Sequence, residues 1–188
     1  MQRLPSCVLL ILALLVGACS SPAELTGEAG EVSFSSILKK GAQLPASGTY
    51  AFARGSGVRW SDESERIAVD LAFREAFDGA MIERRFRRVT TQAATLRIAF
   101  VIGLDEELEP DEMPDRFGLS SDWVPDGLDK RYEQGSILVL VADGLSGELL
   151  WRGALTGATA RKARIEDRLE RTRELARRLV DELPLGAR

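Results

Sequence analysis

The fold of this chain is decided by residues 135–155, GSILVLVADGLSGELLWRGAL. Ile137 to Ala142 is a continuous apolar run, and Glu148 to Leu155 is a second, mostly apolar run that carries Trp151. The dipeptides Asp143-Gly144 and Ser146-Gly147 lie between the two runs, and such dipeptides favour turns. Two apolar runs joined by a short glycine-bearing loop predict a β-hairpin.

Two further strands and two helices are predicted around this hairpin. Residues 48–54 (GTYAFAR) and 95–104 (TLRIAFVIGL) alternate in hydrophobicity with the period of a strand. Apolar residues recur at helical spacing from Ser61 to about Arg85 and from Ala160 to Leu183. Asp62 with Glu65 resembles a capping box, with Ser61 as an alternative cap, and Pro184 ends the second helix. The stripe predicted to face the core on the first helix comprises Ile67, Val69, Leu71, Phe73, Phe77, Ala80 and Met81.

The element order β-α-β-loop-β-β-α predicts an α+β fold. We expect a two-layer sandwich, in which a four-stranded, mostly antiparallel sheet carries both amphipathic helices on one face. The residues predicted on that face are Tyr50, Phe52, Ile98, Phe100, Val139, Val141, Leu149 and Trp151. The domain is predicted to span residues 48–184.

The other face of the predicted sheet is the candidate interaction surface. It carries Leu138, Leu140 and Leu150 beside Val101, flanked by Arg97 and Arg152. Strands that are apolar on both sides need cover on both sides, and an uncovered apolar patch marks an interaction site. Four covers are open alternatives: residues 20–47, the acidic loop described below, a second copy of the chain, or a partner.

Composition excludes several kinds of chemistry. The chain has no histidine, which excludes Ser-His-Asp and Cys-His catalysis and imidazole metal sites. The only cysteines are Cys7 and Cys19, so the folded part has no disulfide and no thiolate nucleophile. A net charge of −4 argues against a general affinity for nucleic acid. We therefore expect no cofactor, no metal site and no enzymatic activity.

Two charged clusters have a structural and a functional interpretation. Residues 105–134 form a long polar segment whose first part is rich in carboxylates, without the spacing of an EF-hand or the fixed separation of glycosidase carboxylates. A solvated loop is the favoured interpretation, with weak cation binding as the alternative. Four arginines around Phe86 suit a helix C-terminus, and a small anionic contact site is the alternative. They are Arg84, Arg85, Arg87 and Arg88.

The N-terminus predicts export and anchoring. Residues 1–18 combine an early arginine, an apolar run too short to span a bilayer comfortably, and small residues at the end, as in a signal peptide. The ending Val16-Gly17-Ala18-Cys19 resembles a bacterial lipobox, which implies cleavage before Cys19 and its lipidation; an ordinary secretory signal is the alternative. No aspartate follows Cys19, which in a Gram-negative bacterium implies the outer membrane. Residues 19–47 then form a tether, in which Val32 to Leu38 is a candidate short strand or helical turn.

The order and spacing of these motifs resemble DUF4136, a family of bacterial lipoproteins with a domain of unknown function. The matching segments are Cys19 in its lipobox, residues 48–52 (GTYAF), residues 86–89 (FRRV), the strand 94–103, and residues 135–153 with the sequence Trp151-Arg152-Gly153. Thr95 stands where the family usually has an acidic residue. The resemblance implies a lipid-anchored envelope domain and no particular reaction.

The predicted function is therefore that of a non-enzymatic interaction or assembly-support module. It would be held by its lipid at the outer membrane, facing the periplasm, with an envelope protein as partner. The alternative is a binding or carrier protein for a small amphiphile or lipid, which predicts an apolar pocket between sheet and helices. A hydrolase that uses carboxylates alone is the third and weakest hypothesis.

Overall fold

A computed structural model describes residues 32–60, 62–90, 94–104, 132–160 and 162–186. The predicted signal peptide, Cys19 and residues 105–131 of the acidic segment lie outside them. The strands are β1 (Val32–Leu38), β2 (Gly48–Phe52), β3 (Gly57–Arg59), β4 (Phe86–Arg88), β5 (Leu96–Leu104), β6 (Tyr132–Asp143) and β7 (Leu149–Ala160). The helices within these ranges are α1 (Glu63–Glu83) and α2 (Ile165–Asp181).

The α+β class is correct, but the four-stranded, mostly antiparallel sheet is wrong. Among the described residues, the sheet has seven strands in the order β1-β7-β6-β5-β2-β4, with β3 also paired to β5. The β1–β7, β7–β6 and β6–β5 pairs are antiparallel, whereas β2 runs parallel to both β4 and β5, and β3 runs parallel to β5. Strands of three residues, such as β3 and β4, are too short for a period of two to be recognised, which explains why the sequence did not predict them.

The parallel pairs follow from the length of α1. Its 21 residues span about 32 Å at 1.5 Å per residue, enough to return the chain along the whole sheet. β4 therefore starts at the same end of the sheet as β2 and pairs with it in parallel, with Gly48 opposite Phe86.

β2 and β3 lie consecutively along one edge of β5 and are separated by an irregular turn. Phe52 lies opposite Ile98 and Gly57 opposite Val101, so the chain inserts extra residues between the two strands. Arg74 of α1 holds this turn, because its Nη2 donates to the Ser56 carbonyl over 3.1 Å while its Nε donates to Asp70 over 2.7 Å. The guanidinium also lies over the rings of Phe52 and Phe100, 4.8 and 4.7 Å from their centroids.

The predicted hairpin is confirmed as β6 and β7. Asp143 orders the turn, since its Oδ1 accepts the backbone N–H groups of Leu145 and Ser146 over 3.0 and 2.6 Å. Gly147 has a φ of 74°, which suits glycine. β7 continues to Ala160, so α2 begins five residues later than the Ala160 start predicted from sequence.

The main core lies between one face of the sheet and the two helices, which pack side by side. On α1 the buried residues are Val69, Ala72, Phe73, Ala76, Phe77 and Met81. Ile67 and Leu71, predicted to face the core, are instead 56% and 54% exposed. Two residues along a helix correspond to about 200° of rotation, so a helix that buries Val69 and Phe73 turns these two side chains outward.

Part of the predicted tether belongs to the sheet. Val32–Leu38, within residues 19–47, forms β1 and pairs along β7. Of the two alternatives for this segment, the strand is the one observed. Val32 and Phe34 pack against the main core although their exposure is intermediate.

Candidate functional site

The five residues of the predicted interaction surface do not form one open patch. Leu138 is only 1% exposed and forms a small second cluster with Ala154 and the half-buried Leu140, on the face away from the helices. Arg97 is exposed on this face and Arg152 is half-buried. The apolar centre predicted at Leu138 is therefore covered within the chain.

Leu150 lies on the other side of the sheet from its predicted place. The β6–β7 register shifts between Val141 and Ala142, where Val141 faces Trp151 and Ala142 faces Leu149. This bulge leaves Leu150 without a direct partner on β6, and Leu150 packs against the main core. Leu149, predicted to face the helices, is 38% exposed for the same reason.

The arginine cluster around Phe86 is partly neutralised. Arg84 pairs with Asp181 of α2 over 2.9 Å, and Arg88 pairs with Asp78 of α1 over 2.9 Å. Asp78 also accepts a hydrogen bond from the Tyr50 hydroxyl. Burial, and then this hydrogen bond, raise the pKa of Tyr50. These contacts tie α1 to β2, β4 and α2, whereas the last turn of α1 itself contains no basic residue.

The outer edge of β1 is one candidate binding element. No described residue pairs with this edge, and the strand VSFSSIL contains neither a charge nor a proline. Ile37 and Leu38 are 40% and 41% exposed. Edge strands without charge or proline are open to pairing with another strand.

The hydrogen bonds of β1 indicate which backbone groups point outward. The Lys39 N–H donates to the Leu150 carbonyl over 2.8 Å, directly after β1. Bonding residues alternate in an antiparallel pair, so Ile37, Ser35 and Ser33 bond to β7. The backbone groups of Leu38, Ser36 and Phe34 therefore face away from the sheet.

A cleft of ≈ 90 Å³ between α2 and one end of the sheet is the second candidate element. Its apolar wall includes Val32, Trp60, Ile102, Ile137, Leu155 and Leu175. Its polar lining comes from Ser136, Thr156 and Thr172, with Arg168 and Arg171 from α2. The Arg168 guanidinium lies 5.6 Å from the Trp60 ring centroid, and Arg171 pairs with Glu174 over 2.9 Å.

Sequence patterns predict the first element in part and miss the second. They give Val32–Leu38 as a candidate short strand within a tether, but not as the edge of the sheet. The cleft joins residues from β1, β5, β6, β7 and α2, which only the tertiary fold brings together. One signal was present: Ser136 and Thr156 are polar residues directly next to the apolar runs 137–142 and 148–155, and each is buried in the structure.

Within the described ranges, no three carboxylate or cysteine side chains are grouped to hold a metal ion. In the same ranges, neither helix is long and apolar enough to cross a membrane.

The comparisons with known proteins support the fold alone. No family model and no curated protein matches the chain, so the resemblance to DUF4136 stays a prediction. A PDZ domain protein from Parabacteroides distasonis matches with a TM-score of 0.52 and 11% identity over 86% of this chain, which spans 38% of that protein. A PelC dodecamer from Paraburkholderia phytofirmans matches with a TM-score of 0.49 and 10% identity, over 84% of this chain and 100% of the PelC chain. The PelC likeness carries no argument about this protein.

Proposed function

We propose that this protein is a lipid-anchored envelope module, facing the periplasm from the outer membrane, that acts by binding a partner protein rather than by catalysis. The anchor is the predicted lipidation of Cys19. The binding element is the outer edge of β1, to which an extended segment of the partner adds as a further strand. Main-chain hydrogen bonds supply the affinity in this mode of recognition.

The observation that carries the proposal is the outer edge of β1, with which no described residue pairs. Among the described residues the opposite edge strand, β4, has only three residues, two of them the arginines Arg87 and Arg88. β1 has seven residues, and all of them are uncharged. Short length and charge thus protect the β4 edge, whereas the outward backbone groups of β1 are not paired by any described residue.

The position of β1 fits a module that works beside a membrane. β1 begins at Val32, thirteen positions after Cys19. A tether of that length reaches about 45 Å at most. A strand at the anchored side of the domain is thus accessible to envelope proteins in the same membrane.

Proline substitution tests the edge without changing the side-chain surface much. Ser36→Pro removes an N–H that points away from β7, so the hydrogen bonds between β1 and β7 are kept. A partner strand that pairs with the outer edge of β1 loses one hydrogen-bond donor. Ser36→Ala is the matched control, because it removes the same hydroxyl and keeps the N–H. Both are compared with the native chain by crosslinking in cells from a photoreactive residue at Leu38.

We expect one envelope protein to crosslink to the native chain and to Ser36→Ala, and to be lost in Ser36→Pro with an unchanged melting temperature. Equal crosslinking of both variants would contradict strand addition. A crosslink only between copies of this chain would contradict a separate partner.

A further inference from the structure

The cleft beside α2 gathers the buried polar side chains of the described core. Ser136, Thr156 and Thr172 are each 6–8% exposed, and they are the buried polar residues found among the described ranges. All three line this cleft. Ser136 and Thr156 lie within 3.3 Å of each other through their hydroxyl oxygens. The Thr172 hydroxyl donates to the Arg168 carbonyl over 2.8 Å, so the three hydroxyls have partners within the chain and give this opening a polar lining beside its apolar wall.

The charged residues of the cleft indicate the sign of a ligand's polar end. Among the described residues its lining includes Arg168 and Arg171 and no aspartate or glutamate. Arg171 is 23% exposed, while its partner Glu174 is 50% exposed, so the carboxylate sits on the solvent side of the pair. A guanidinium matches a carboxylate in shape and can donate two parallel hydrogen bonds to it.

The apolar wall and the volume limit the rest of the ligand. Ile102, Leu155 and Leu175 provide a hydrocarbon surface beside the polar groups. A cavity of about 150 Å³ holds a benzene ring, so ≈ 90 Å³ accommodates a headgroup with a few methylenes. A longer chain must extend out of the cleft.

The location of the cleft indicates where such a ligand comes from. Val32, the first residue of β1, lines the cleft and follows Cys19 by thirteen positions. The cleft is therefore at the end of the sheet from which the chain continues toward the predicted lipid anchor. A membrane is the nearest source of molecules with an anionic head and an apolar chain.

We infer that this cleft binds an alkyl carboxylate, with its carboxylate on Arg168 and Arg171 and its first methylenes against Ile102, Leu155 and Leu175. The same chemistry is found in membrane fatty acids and in short soluble acids, and chain length separates these two sources. The inference goes beyond strand addition at β1 and stands on different residues.

The test is a nuclear magnetic resonance titration of the mature chain from residue 19, carrying Cys19→Ser so that no attached acyl chain competes. The ligands are octanoate, octan-1-ol with the same stem and no charge, and acetate with the charge and no stem. Amide shifts of Ser136 and Thr172 report on the cleft, and Leu145, in the turn at the other end of the hairpin, serves as the reference.

Three variants locate the binding. Arg171→Gln removes one guanidinium, and Arg177→Gln makes the same charge change at an exposed position of α2. Thr172→Leu fills the cleft with an apolar side chain.

We expect octanoate to shift Ser136 and Thr172 and to bind at least tenfold more tightly than octan-1-ol or acetate. Arg171→Gln should weaken octanoate at least fivefold and Thr172→Leu should abolish its binding, while Arg177→Gln leaves it unchanged. Tight acetate binding would still support the cleft but assign it to soluble acids. Equal affinity for octanoate and octan-1-ol, no shift at the cleft, or equal effects of the two arginine variants would overturn the inference.

Discussion

Position 153 requires a glycine because the ring of Trp151 occupies the space that a side chain would need. A Cβ at this position would lie 2.2 Å from Cη2 of Trp151 and 2.6 Å from Cζ2, because the indole ring lies over the strand. Trp151 is 2% exposed and is among the largest side chains of the main core. The sequence Trp151-Arg152-Gly153 is thus explained by packing, with the glycine making room for the tryptophan.

We predict that Gly153→Ala destabilises the fold by about 1–3 kcal/mol, since the added methyl group forces the indole from its place. Urea denaturation gives the free energy of unfolding. The control is Gly79→Ala, on an exposed part of α1 where a Cβ meets nothing within 4 Å. It should stabilise the chain by about 0.5–1 kcal/mol. A stable Gly153→Ala protein would refute the close packing.

Tyr50 is the buried titratable group whose environment is best defined. Its side chain is fully buried, and its hydroxyl donates to Asp78. Its folded-state pKa lies well above its ordinary value of 10.0 because burial disfavours the phenolate. The folded state therefore binds this proton more tightly than the unfolded state does.

The raised pKa of Tyr50 predicts how stability changes in alkali. Its contribution is complete below pH 10 and decreases as the pH rises above that value toward the folded-state pKa. Tyr50→Phe should lose about 1 kcal/mol at pH 7 and show a flatter decline of stability above pH 10. Phenolate absorbance at 295 nm measures the titration directly. A full phenolate signal from both tyrosines in the folded native protein near pH 10 would contradict the raised pKa of Tyr50.

At the scale of elements, α1 has one well-formed and one strained end. Asp62 is the N-cap, as the capping-box pattern predicted, and its Oδ1 accepts the Glu65 N–H over 2.9 Å. Ser61, the alternative cap, lies outside the described residues. At the other end Arg85 follows the C-cap Arg84 with a φ of 65°. That backbone region suits glycine and is unfavourable for arginine.

Asp62→Ala should reduce stability by about 1 kcal/mol, because the N–H of Glu65 loses its acceptor. The hydrogen bond from the Glu65 backbone lowers the pKa of Asp62. Its contribution is therefore present above the unfolded-state pKa and disappears as the pH falls through the folded-state value. The difference between native and variant free energies of unfolding, measured from pH 7 to pH 2, should shrink at acid pH.

Arg85→Gly should stabilise the protein by about 0.5–1 kcal/mol, since glycine adopts the left-handed conformation without a steric penalty. Thermal denaturation measures the change. Arg87→Gly is the contrasting variant, because Arg87 is an exposed residue inside β4 and glycine weakens strands. Destabilisation by both substitutions would contradict the role assigned to Arg85.

At the scale of the whole molecule, the described apolar residues form a large cluster on one face of the sheet and a small one on the other. The helices cover one face, and Leu138 with Ala154 forms a separate buried cluster on the other. Burial on both faces of β6 agrees with its run of apolar residues, Ile137 to Val141. Leu138, on the second face, is therefore expected to contribute to the stability of the fold.

Leu138→Asn should therefore destabilise the fold by about 3 kcal/mol, because it removes a buried apolar side chain and inserts an unpaired amide. The matched control is Leu145→Asn in the hairpin turn, where the side chain is 97% exposed and the change should stay within about 0.5 kcal/mol. Urea denaturation gives the free energy of unfolding of each variant. Equal stability of the two variants would mean that Leu138 is accessible in solution.

The strongest local patterns predicted their elements correctly. The hairpin, the two helices and the Asp62 cap each depend on neighbours a few residues away, and these are visible in the sequence. Boundaries were less accurate: β7 continues to Ala160, where the sequence placed the start of a helix. Leu150 was predicted on the wrong face of the sheet. A strand normally alternates its side chains between the two faces, and one bulge reverses this alternation at Leu150.

The sequence by itself determined the α+β class, the absence of histidine and disulfide chemistry from the folded part, and the prediction of a lipid anchor at Cys19. All of these rest on composition or on local spacing. Only the tertiary structure decided that the described part of the chain forms a seven-stranded sheet with β1 at its edge, and that Trp60, Ser136 and Arg168 meet at one cleft. Strand order and the meeting of distant side chains depend on contacts between residues far apart in the chain, and no local period records them.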